Sequence, residues 1–259
     1  MLSKTEYEQQ VSRLQKNLRK FYFSSEGVAD FLDTATPRTL AFMDGFLGKE
    51  LERRDARHRA LLLRQAGFPN EKSLSDYDFS SVVFPSDMPK EAVEGLDFIG
   101  MKHSLVFYGV CGSGKTMLAI CLGMKACCLG YAVRFYTLSQ LAERLRSADK
   151  AGSLQSCLEG LRKLDLLIID EWGYTQLDKD VAGYVFQVIS DSYERKSLIV
   201  TTNLPFSQWG RVVTDEQLAA AVIDRIVHYG HLVNMGNKDW RIAHSPMNGQ
   251  VISTRKEAY

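Results

Sequence analysis

A strand signature that runs straight into a glycine-rich loop constrains this chain more than any other feature. His103-Ser104-Leu105-Val106-Phe107-Tyr108 is an apolar run of strand length, Gly109-Val110-Cys111-Gly112-Ser113-Gly114-Lys115-Thr116 follows it, and Met117-Leu118-Ala119-Ile120-Cys121-Leu122 continues as a helix. The loop fits G-x-x-x-x-G-K-[ST]. Gly109, Gly112 and Gly114 let successive backbone N–H groups, including those of Val110, Cys111 and Ser113, converge on a polyphosphate. Lys115 then reaches the β/γ-phosphates, and the Thr116 hydroxyl ligates Mg²⁺. Strand, loop and helix in that order predict a nucleoside triphosphate site.

Two later segments end in the side chains such a site needs. Leu166-Leu167-Ile168-Ile169 is an apolar strand closing on Asp170 and Glu171. Ligands of open α/β sheets collect at the carboxyl edge of the strands. Asp170 is placed to hold Mg²⁺ beside Thr116, and Glu171 to polarise an attacking water. Ser197-Leu198-Ile199-Val200-Thr201-Thr202 ends on Asn203, an amide able to orient that water or sense the γ-phosphate. Both segments also have blander readings, a solvated strand end for the carboxylates and a turn-forming Asn ahead of Pro205.

Composition fits a globular α/β chain: 45% of the 259 residues are hydrophobic, and the formal charge is +1, so no global basic field announces nucleic acid. Charge is nevertheless uneven. Residues 49–64 carry Arg53, Arg54, Arg57, His58, Arg59 and Arg64 against Glu50, Glu52 and Asp55, which suits either a solvated helix face or a nucleic-acid or partner surface. The five cysteines form no C-x-x-C pair and match no histidine cluster, so zinc and a disulfide framework are not indicated and a reducing, cytoplasmic setting is expected. No run has signal-peptide or membrane-spanning character, so no membrane partner is expected.

Along the chain, Tyr7, Val11, Leu14, Leu18 and Tyr22 recur at helical spacing, as do Leu40, Met43, Leu47 and Leu51, the second set opened by Pro37 after Thr36. Residues 1–66 therefore read as a small all-α module, its stripes serving its own core or a partner. Gly67-Phe68-Pro69-Asn70 breaks the pattern, and 67–89 reads as a linker-like approach to a domain over 67–259 without a sizeable C-terminal lid. There, five strands (to 108, 132–137, 165–170, 197–202 and 231–235) alternate with helices at 115–129, 138–148, 152–163, 178–194 and 215–228. The fold class is α/β, a parallel five-stranded sheet flanked by helices. The paired helices at 138–163 carry Arg144, Arg146, Lys150, Arg162 and Lys163, either a solvated surface or a basic ridge for nucleic acid.

The sequence resembles the AAA+ P-loop ATPases of the DnaC and DnaA type, and among them the IstB-like transposition helper ATPases of insertion sequences. The likeness rests on the 109–116 loop, on Asp170-Glu171-Trp172-Gly173-Tyr174, on Tyr193-Glu194-Arg195-Lys196-Ser197, on 201–210 through Trp209-Gly210, and on Ala220-Ala221-Val222-Ile223-Asp224-Arg225-Ile226-Val227-His228. It spans nearly the whole chain, departing at Cys111, where the loop more often carries Pro or another small residue. The resemblance implies ATP with Mg²⁺, a homo-oligomer with nucleotide at subunit interfaces, and Arg225 as the finger offered to a neighbour's nucleotide. It further implies Arg241 as a second nucleotide sensor, helices 138–163 as an insertion lining a channel for double-stranded DNA, and the N-terminal helices as a partner-docking part. The expected partner is a transposase, the alternative being a replicative helicase served by a loader.

Overall fold

The computed structural model describes residues 4–213 and 215–240. The chain forms two compact units, Met1–Leu61 and Leu62–Tyr259.

The first unit is helical. Helix α1 (Lys4–Lys20) is followed by α2 (Ser25–Thr34) and by the start of α3 (Pro37–Ala66). Leu14, Leu18, Val28, Leu40 and Leu47 are buried together, with Val11, Phe31 and Met43 packed on them. The two apolar stripes thus face one core. Their ends do not: Tyr7 is 38% exposed and Tyr22, past the end of α1 at φ 61, is 95% exposed. Helix α2 has no long periodicity to announce it; its cap does, the Ser24 hydroxyl accepting the Gly27 N–H at 3.2 Å. The basic stretch lies on α3, where Glu50 pairs with Arg54 and Arg57 at 3.4 and 3.3 Å.

Helix α3 ends where the sequence predicts, with Gly67 at φ 75, a left-handed conformation that suits glycine. The units divide earlier, after Leu61 rather than after residue 66. The reason is burial: Leu62 and Ala66 belong to the core of the second unit.

In that unit β1 (Ser104–Tyr108), β2 (Val133–Thr137), β3 (Leu166–Trp172), β4 (Ser197–Thr202) and β5 (Gly230–Asn234) pair in the order β2-β3-β4-β1-β5, every pair parallel. Alternate residues serve opposite faces. Leu166, Ile168, Leu105 and Phe107 pack with α4 (Lys90–Gly95), α5 (Asp97–Met101) and α6 (Lys115–Cys128), whereas Leu167, Ile169 and Val200 pack with α7 (Leu138–Lys150), α8 (Leu154–Arg162), α9 (Lys179–Ser190) and α10 (Glu216–Val227). Helix α7 begins on a capping box, Thr137 and Gln140 satisfying each other's backbone N–H. The expected strands and their helices are all present; α2, α4 and α5 were not foreseen, being only 10, 6 and 5 residues long.

Among the described residues no helix is long and apolar enough to cross a membrane. Residue 241 and those after it, on which the C-terminal expectation and Arg241 fall, lie outside the described residues.

Candidate active site

The strand order does most of the assembly. Strands β3, β4 and β1 are neighbours, and their parallel register brings Asp170, Thr201–Thr202 and the loop after Tyr108 to one edge (Phe107 opposite Thr201, Tyr108 opposite Thr202). Sequence segments tens of residues apart thereby face one hollow of about 180 Å³, lined by Cys111, Gly112, Lys115, Thr116, Glu171, Tyr174, Thr201, Thr202 and Asn203.

The loop folds as its glycines demand. Gly112 and Gly114 stand at φ 75 and 87, conformations open to residues without Cβ. Lys115 donates to the Gly109 and Val110 carbonyls at 2.8 and 2.7 Å, so its ammonium lies inside the loop it serves. The Thr116 hydroxyl donates to Asp170 at 2.9 Å, and Asp170 is only 3% exposed. Hydroxyl and carboxylate form an all-oxygen donor set, the chemistry of a hard divalent cation that keeps waters and takes its remaining ligands from phosphates. The residues fit Mg²⁺.

Glu171 follows Asp170 yet behaves oppositely, because a one-residue bulge separates Ile169 (opposite Val200) from Trp172 (opposite Thr202). Glu171 takes φ 61, so Asp170 is buried while the Glu171 side chain is exposed at the hollow. Thr201 fixes this arrangement. Its hydroxyl accepts the Glu171 N–H at 3.0 Å and donates to Asp170, tying the two carboxylate residues to β4. Asn203 lines the same hollow, and its Oδ1 is buried without a hydrogen-bond partner.

A second hollow of about 290 Å³ adjoins the loop, between Ser113, Gly114, Met117, Asp76, Tyr77, Asp78 and Trp240. The Trp240 N–H donates to the Gly112 carbonyl at 3.0 Å. Burial raises the Tyr77 hydroxyl above its ordinary pKa, so it stays a neutral donor. Sequence reasoning missed Tyr77, which sits in an irregular stretch, and Thr201, whose strand-forming side chain gave no sign of a second role.

Two groups of expected site residues lie elsewhere. Arg225, near the end of α10, pairs with Asp224 at 3.2 Å and lies over the Tyr193 ring, 5.2 Å from its centroid. It lines a small pocket with Lys102, Ser104 and Tyr229, at the amino ends of the strands. The loop starts beyond Tyr108, a strand length of about 13 Å farther on. The five basic residues of α7 and α8 are not equally available. Arg146 is committed to Glu143 and Asp178 at 2.9 and 2.6 Å and Arg162 to Asp191 at 2.8 Å, whereas Arg144, Lys150 and Lys163 are exposed.

The family model of IstB-like ATP binding proteins matches residues 26–247. The chain belongs to that family. Its relatives include the insertion sequence IS5376 ATP-binding protein of Geobacillus stearothermophilus, 34% identical over 83% of this chain and 86% of that one. The IS21 counterpart of Pseudomonas aeruginosa is 31% identical over 83% of this chain and 82% of its own length. Among solved structures, AMPPCP-bound DnaA from Aquifex aeolicus superposes with a TM-score of 0.53 at 18% identity, over 74% of this chain and 57% of that chain. DnaI gives 0.51 at 16%, over 71% of this chain and 98% of that chain. At such identities the structural likeness concerns the fold, which is the AAA+ P-loop arrangement. An IstB-like protein with this site is an ATPase.

Proposed function

We propose that this IstB-like protein hydrolyses MgATP in an assembly of identical subunits that grips double-stranded DNA, helps a transposase engage its target, and lets go when the γ-phosphate is cleaved. Thr116 and Asp170 would hold the Mg²⁺, which when bound neutralises charge on the phosphate oxygens. Lys115 pairs with the β/γ-phosphates, the loop N–H groups with the rest, and the hollow beside Tyr77 takes the nucleoside. Glu171 polarises the water and Asn203 orients it. Relatives that carry insertion sequence names favour a transposase over a helicase as partner. The N-terminal helices are its docking part, and Arg144, Lys150 and Lys163 face the DNA.

The single observation that carries this reading is the place of Arg225. Every other residue of the hydrolytic set lies at the carboxyl ends of the strands, and Arg225 lies at their amino ends. An arginine so placed serves a second copy's nucleotide. Supplied in trans, such a cation is worth on the order of a thousandfold in rate. The test mixes two weak variants. Arg225→Ala should bind ATP and turn it over poorly, and Lys115→Ala should lack nucleotide yet keep its arginine. Co-assembled, they should exceed both parents in ATPase rate, with a maximum that depends on their ratio. A co-assembled mixture no faster than its parents would place Arg225 in cis or in the fold.

A further inference from the structure

Arg225 needs more than a place on a helix: a long exposed side chain samples many rotamers, and an arginine that must meet a phosphate in another subunit loses rate for every orientation that misses. Asp224 is a weak hold. It accepts from Arg225 Nη1 at 3.2 Å, but the side chains are 44% and 68% exposed, and surface pairs of that kind contribute little. The carboxylate also takes up one of the N–H groups that a phosphate would use.

The Tyr193 ring provides a different hold. It comes from the tight connection between α9 and β4, a segment pinned by the buried Ser192 hydroxyl donating to the Val188 carbonyl at 2.6 Å and by the Tyr193 N–H donating to the Ser190 carbonyl at 3.2 Å. The guanidinium carbon of Arg225 lies 5.2 Å from the ring centroid. A cation held by an aromatic face keeps its N–H donors in the guanidinium plane, free to reach outward. The ring is itself fixed from α10. His228, three residues on from Arg225 and so on the same helical face, meets the Tyr193 hydroxyl through Nδ1 at 2.9 Å. Tyr229 packs on Tyr193 at 5.4 Å between centroids and donates its hydroxyl to Glu194 at 3.0 Å. The short segments that precede β4 and β5 are thereby clasped around one exposed arginine.

We propose that Tyr193 is a positioning residue for hydrolysis in the neighbouring subunit: its ring presents the Arg225 guanidinium, and His228 holds the ring. This rests on Arg225 acting in trans. Tyr193 touches none of the residues lining its own chain's phosphate hollow, so its loss should alter turnover and spare ATP affinity.

The test uses full-length protein and mixed assemblies. Tyr193→Ala should lower kcat roughly 3- to 30-fold, the range an aromatic hold on a cation spans, and leave the KM for ATP within about twofold. Tyr193→Phe, which keeps the face, should retain most activity. In mixtures shown by differently tagged copies to co-assemble, Tyr193→Ala should be rescued by Lys115→Ala, whose own arginine is intact, and not by Arg225→Ala. Wild-type turnover in Tyr193→Ala, a parallel loss of ATP affinity, or no rescue by Lys115→Ala while the Arg225→Ala and Lys115→Ala pair does complement would each overturn the proposal. If that control pair fails to complement, the trans reading of Arg225 falls first and takes this one with it. Should Tyr193→Ala not fold, Tyr193→Leu, which removes the aromatic face and keeps most of the bulk, provides the same comparison, the same rescue pattern supporting the proposal and its absence overturning it.

Discussion

Thr201 joins Asp170 and Glu171 through one oxygen. It donates to the buried Asp170 carboxylate and accepts the Glu171 N–H, the backbone group that the bulge would otherwise leave unpaired. Thr201→Val keeps the shape and removes both bonds. Each abandoned buried group costs about 1–3 kcal/mol, so stability in chemical denaturation should fall by that order, with the slope unchanged. Turnover should fall with it, since Glu171 loses the anchor of its φ 61 backbone; Thr201→Ser should restore most of both. Glu171→Gln, by contrast, should bind ATP normally and stall, since an amide cannot polarise water as a carboxylate does. Normal turnover in Glu171→Gln would move the hydrolytic role elsewhere. At this scale legibility followed residue type. Lys115, Thr116, Asp170 and Glu171 stand in patterns whose chemistry is specific, whereas a threonine inside a strand is first of all a good strand former. Tyr77 gave no signal because tertiary packing alone brings it beside Gly114.

At the scale of elements, periodicity revealed every strand and every long helix, and failed for α4 and α5, which are shorter than the window in which a helical period can be counted. Charge along α7 and α8 was legible as composition and not as availability, since Arg146 and Arg162 are tied to Asp178 and Asp191, the residues flanking α9. Replacing Arg144, Lys150 and Lys163 together by Ala should therefore weaken DNA binding and flatten its dependence on salt by about three phosphate contacts' worth, with ATP binding intact. An unchanged salt slope would return these helices to solvent. Helix α8 also owes its end to an unusual residue: Lys196, 1% exposed, donates Nζ to the Leu161 carbonyl in the last turn, where backbone acceptors lack partners. Burial pulls its pKa down from 10.5 to about 8. With the folded value below the unfolded one, the unfolded chain binds more protons between them, so this group's contribution to stability rises as pH climbs from about 8 to about 10.5. Lys196→Met should lack that rise. Denaturation of both proteins across this window gives the difference, and parallel curves would show that the amine is not the titrating group.

The whole molecule poses a question of separability. The sheet unit carries its own core on both faces, and among the described residues that core begins at Leu62 and Ala66, at the end of α3. Leu14, Leu18, Val28, Leu40 and Leu47 make a core of their own. A domain the size of the second unit buries enough surface to fold by itself, and every residue lining the phosphate hollow and the neighbouring hollow at Tyr77 lies within it. Deleting residues 1–61 should therefore leave a cooperative thermal transition and an ATP affinity within about twofold of the full chain, an interval of less than RT and too small for any lost contact to the nucleotide. If the first unit is the docking part, the same deletion should abolish stimulation of the transposase from the same element, in a strand-transfer assay with ATP and target DNA. The cut has to respect α3. Removing residues 1–66 instead would take Leu62 and Ala66 out of the sheet unit's core, at about 2–5 kcal/mol for a buried leucine alone, and should lower the transition temperature while the shorter deletion does not. A truncated protein that lacks residues 1–61, binds ATP and still stimulates the transposase fully would move the docking surface onto the sheet unit. One that loses ATP binding as well would show that the two units share the work of holding the nucleotide.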